Sequence, residues 1–168
     1  MKIIMKTNQR AAAVLMVVSL LCGGILVSQS DINEGLTAYY SFDNAGNLTA
    51  DSSGNNRNLT LIGSGLPIDG IKSGAFDFDG FSYLQSNSAG GFNTMENFTW
   101  SVWFRTEDDI TGSLIGKAPD FWDSGSRILF VEDGTLIFDI GDLGAAEFAG
   151  ELNDNEWHHV VVVNEFFE

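Results

Sequence analysis

Cysteine occurs once, as Cys22, and proline only twice in 168 residues. A lone thiol cannot close an intramolecular disulfide, so the fold must rest on its packed core or on bound metal. Basic residues are also scarce: eight Lys and Arg stand against 23 Asp and Glu, a net charge of −15. Such a surface repels nucleic acid and anionic membranes, which excludes both as partners. No ten-residue window after Asp31 keeps apolar residues at helical spacing, which excludes a helical bundle. The signatures of catalysis are missing as well. There is no E-x-D-x-x-E string to set two glutamates on one strand face for glycoside cleavage, and no G-x-S-x-G elbow. The two histidines, His158 and His159, are chain neighbours in an apolar strand and point to opposite faces, so they make neither a zinc pair nor a triad. The chain reads as a non-enzyme.

What is present begins with a leader. Lys2, Lys6 and Arg10 precede an acid-free apolar run from Ala11 to Val27, and Ser28 and Ser30 follow as small residues at the spacing of a signal-peptidase site. Residues 1–30 are therefore expected to be a signal peptide and residues 31–168 the secreted domain, with no membrane association after cleavage. Three cations and the only thiol leave with the leader. Five basic side chains then face 23 acids, a net charge of −18.

Along residues 31–168 the apolar period is two. Phe98, Trp100, Val102 and Phe104 alternate with Thr99, Ser101, Trp103 and Arg105, which predicts a strand whose first set is core. Leu36 to Phe42 and Thr135 to Ile140 repeat the pattern. Shorter strands are expected at Leu59 to Ile62, Ala75 to Phe78, Tyr83 to Ser86, Ser113 to Gly116 and Arg127 to Val131. Asp133-Gly134 predicts a two-residue hairpin of the primed type, because that turn needs positive φ. Many short strands separated by 17 glycines, the chain's 19 less Gly23 and Gly24, specify an all-β, antiparallel two-sheet sandwich, and a domain of this size can bury one core. The expected buried set is Tyr40, Phe42, Phe76, Phe78, Trp100, Val102, Phe104, Leu136, Phe138 and Trp157.

Five segments in order carry a family resemblance: Gly35 to Asp43, Asp51 to Asn56, Ser73 to Gly80, Asn97 to Phe104 and Asn155 to Val162. Together they resemble the laminin G-like domains of the concanavalin A-like lectin/glucanase superfamily. The resemblance implies a jelly-roll sandwich. It also implies that further strands follow Val163, so that a chain ending at Glu168 is C-terminally incomplete and lacks a strand partner for the Tyr39 region or for Val160 to Val163.

Two sets of residues are candidates for binding. Calcium takes six to eight hard oxygens, and Asp43, Asp51 and Asn55 are the carboxylate and amide loop residues that the resemblance places near such a site. Their alternative is an Asx turn satisfying local backbone N–H groups. Asp77 and Asp79 read as a solvated strand face. Trp103, on the less apolar face of its strand, and Trp122 with Asp123 in a loop are candidates for stacking on sugar rings. The expected function is a secreted carbohydrate-binding module. The alternatives are an adhesion domain that binds extracellular protein, or an accessory domain of a larger secreted hydrolase.

Overall fold

A computed structural model describes residues 2–7 and 33–165, apart from 88–91, 93, 95, 108, 110 and 118–124. Trp122 and Asp123 lie outside the described residues. The described chain is all-β, with twelve strands and one 3₁₀ turn at Gly141–Leu143. In order, the strands are β1 (Lys2–Thr7), β2 (Leu36–Tyr40), β3 (Leu59–Ile62), β4 (Gly65–Asp69), β5 (Gly74–Phe78) and β6 (Tyr83–Ser86). They continue as β7 (Phe98–Phe104), β8 (Gly112–Lys117), β9 (Arg127–Glu132), β10 (Thr135–Asp139), β11 (Ala145–Phe148) and β12 (His158–Asn164). Among the described residues no helix is long and apolar enough to cross a membrane.

Two four-stranded antiparallel sheets dominate. The first has the order β12-β7-β1-β2 and the second β11-β10-β9-β8, while β3 pairs with β6 and β4 with β5. The burial of β7 alternates without a break, with Phe98, Trp100, Val102 and Phe104 at most 4% exposed. That face meets the second sheet. Phe98 and Trp100 contact the Phe138 ring edge-on at centroid distances of 6.4 and 5.9 Å, and Ile115 and Leu129 join the same cluster as Ala38, Tyr40 and Phe76. The two sheets therefore share one core, as expected for a sandwich.

Several local expectations are refined. The strand expected to reach Phe42 stops at Tyr40, because Phe42 turns to φ 58° while its ring stays buried against Phe76 at 5.9 Å. Leu136 and Phe138 pack on the core but keep partial exposure, whereas Ile137 on the opposite face is buried outside the cluster. Trp157, expected in the core, is half-buried beneath the Arg105 guanidinium, 5.2 Å from its ring centroid. The segment assigned above to the start of the leader is β1. It lies between β2 and β7 and supplies the strand partner that the Tyr39 region was expected to lack, while Val160 to Val163 pair with β7.

Candidate functional site

The first sheet turns one face to solvent, and its side chains follow from register. β12 pairs with β7 so that His159 lies opposite Trp103, Val161 opposite Ser101 and Val163 opposite Thr99. Strand alternation carries the partners of the core residues to this outer side. The Trp103 and His159 rings stack at 4.7 Å with an interplanar angle of 17°, and His159 Nε2 is 2.8 Å from Ser101 Oγ. The hydrogen bond and the stack together fix the imidazole and present a flat aromatic pair beside a hydroxyl. Val161 and Val163 extend this surface and are 50% and 58% exposed, an apolar strip on a strongly acidic protein.

Trp103 thus lies where the alternation predicts. His159 is an unforeseen member, because its pairing with a residue 56 positions earlier is set by the β7–β12 register and not by any local motif. His158 points the other way, as expected. It sits 5.6 Å from the Phe104 ring and bonds Asp154 Oδ1 at 2.8 Å. That bond, with a second from the Glu156 N–H, holds the Asp154 carboxyl below its usual range.

The three calcium candidates are spread along β2. Asn55 Nδ2 donates to the Leu36 and Thr37 carbonyls at 2.8 and 3.1 Å, near the start of the strand. Asp51 lies further along: Oδ1 accepts from the N–H groups of Tyr39 (3.0 Å) and Ser53 (2.9 Å), and Oδ2 from that of Arg57 (2.9 Å). Asp43, beyond the strand end, accepts from the Gly74 N–H at 3.2 Å. Leu36 and Tyr39 are about 10 Å apart along an extended strand. The Asp51 oxygens already carry three backbone donors, so the donor set as placed fits a loop clasp better than a calcium cage. Among the described residues, no three His, Cys, Asp or Glu side chains gather as a metal group. Burial pushes the Asp51 carboxyl up, but the bonds from Tyr39, the Ser53 hydroxyl, Arg57 and the Ser53 N–H outweigh it and leave it below the normal value.

Asp79 plays a similar part in the β5–β6 turn. It accepts from the Ser64 hydroxyl at 2.9 Å and from the Phe81 N–H at 3.0 Å; the Ser82 hydroxyl first, then the Phe81 and Ser64 bonds, hold its carboxyl below the usual range. The turn holds out Phe81, whose residue is 91% exposed. Sequence reading passed over Phe81, although Asp79-Gly80-Phe81-Ser82 is a turn tetrad with an aromatic at its tip.

No curated protein and no solved structure matches the chain. A family profile does: "Clostridium neurotoxin, N-terminal receptor binding", over residues 46–167. This match corrects the laminin G-like assignment. The five segments that suggested it are alternating strands and Asx turns, which any two-sheet sandwich needs, and so they marked the architecture and not the family. The chain therefore belongs to the family of N-terminal receptor-binding domains described from Clostridium neurotoxins.

Proposed function

We propose that the chain is a secreted, non-catalytic receptor-binding module that holds carbohydrate on the Trp103–His159 face. The family description supports the binding class, and the leader-like residues 1–30 support export. The observation that carries the ligand class is the flat Trp103–His159 stack with the Ser101 hydroxyl beside it. An aromatic plane flanked by a hydrogen-bonding edge suits a sugar ring, which offers C–H groups on one face and hydroxyls at its rim. Calorimetric titration of the chain with a panel of oligosaccharides is the test. Trp103→Ala should weaken the best ligand by at least about tenfold, or about 1.4 kcal/mol, with far-UV circular dichroism and the urea midpoint showing that the fold is kept. Failure of every sugar at millimolar concentration rejects the carbohydrate assignment.

A protein receptor is the second reading, and Phe81 is the observation that favours it. An aromatic residue 91% exposed, on a turn pinned by Asp79, is a preorganised anchor for a pocket on a partner. Under this reading Phe81→Ala abolishes receptor binding, and free sugar does not compete.

A further inference from the structure

The first sheet depends on a strand whose attachment is unusual. β2 carries two core residues, Ala38 and Tyr40, both with 0% exposure, yet among the described residues its only strand partner is β1. Its other edge is closed by the following loop, through Ser52 N–H to the Tyr39 carbonyl at 2.7 Å and Tyr39 N–H to Asp51 at 3.0 Å. Backbone groups of successive residues in a strand point to opposite sides, so Ala38 and Tyr40 address β1. β7 likewise pairs with β12 on one side and β1 on the other. Without β1, two facing ladder edges would stand about 10 Å apart, room for one strand.

The occupant is far from β2 in sequence. Lys6 lies opposite Leu36, so the ends of the connection between β1 and β2 are near neighbours, although residues 8–35 separate them. By chain length alone, closing so long a connection favours pairing within one chain less than a short hairpin would. Charge favours the same segment: Lys2 and Lys6 enter a domain whose remaining residues are strongly acidic. We infer that the gap between β2 and β7 is a strand-acceptor site for the segment Lys2–Thr7, which fills it within one chain and can fill it in trans from a second copy. Removal of residues 1–30 as a leader would leave the same site open.

The test starts from the full chain, with a specific protease site placed between Gln29 and Ser30 and cut after folding. The N-terminal fragment should stay bound through size exclusion, and excess fluorescent peptide spanning Met1 to Asn8 should replace it at one per domain. The same peptide with Ile4→Pro should fail, because Ile4 lies opposite Ser101 and alternation turns its N–H toward β7. Amide exchange at Ala38, Tyr40 and Ser101 should rise by at least about tenfold when the fragment is stripped away. Release of the fragment with protection of those amides unchanged overturns the inference, as does equal binding of the two peptides. If the cut domain unfolds on release, refolding upon peptide addition supports the inference, and its absence counts against it.

Discussion

Asp51 shows how one side chain can organise a region. Its carboxylate joins the N–H groups of Tyr39, Ser53 and Arg57, tying the loop to β2 across a span of up to 12 residues. Asp51→Ala should cost about 1–3 kcal/mol, since partly buried donors lose a charged acceptor. The pH dependence has a definite sign. A carboxyl held below its unfolded value adds stability that is complete above that value, about 3.9, and is lost as pH falls through the folded one. Urea midpoints of wild type and Asp51→Ala should therefore converge at acid pH and separate fully near pH 6. Equal gaps with calcium and with a chelator are expected if Asp51 is a backbone clasp; a gap present only with calcium marks it as a ligand.

At the scale of elements, the β9–β10 hairpin is the most sharply specified. Asp133 and Gly134 adopt φ 53° and 75°, and Glu132 pairs with Thr135 as a two-residue turn requires. A Cβ on Gly134 would also lie 2.4 Å from Asn153 Oδ1, and Asn153 is itself held by a 2.6 Å bond to Asp109. Gly134→Ala should thus destabilise by about 2 kcal/mol, from the left-handed backbone plus the contact. Asp133→Asn should be nearly silent, and thermal melts of the two variants decide. This hairpin and β7 were legible in the sequence because turn chemistry and a two-residue period are local signals. β4 was not, because Pro67 argues against a strand; it is tolerated here since, among the described residues, β4 pairs only with β5. β11 reads Ala-Ala-Glu-Phe, is exposed throughout, and carries no alternation to detect. β1 carries the same basic and apolar residues that mark a leader, and only the sheet order reveals its place. Of the site, Trp103 could be assigned to the outer face from its own strand, but His159 needed the register of a distant one.

At the scale of the molecule, the described residues pack one core between the two large sheets, in a field of like charge. The edge-on contact of Trp100 with Phe138 spans the sheets at 5.9 Å and 85°. A double-mutant cycle of Trp100→Ala and Phe138→Ala should give a coupling of about 1 kcal/mol, and strict additivity would show that the two rings do not couple the sheets. Charge acts on the same equilibrium over longer distances. A net charge of −15 repels itself most in the compact state. Raising sodium chloride from 0.01 M to 1 M shortens the screening length from about 30 Å to about 3 Å, so the melting temperature should climb, most steeply over the first few tenths molar. A chain stripped of residues 1–30 loses Lys2, Lys6 and Arg10 while keeping every acid, so its net charge reaches −18. Its melting temperature should rise more steeply with salt than that of the intact chain, and the two should converge at 1 M in their electrostatic part. Any deficit persisting at 1 M then measures the β1 ladder and not the lost cations. A flat salt response in both chains would show that self-repulsion does not limit this fold.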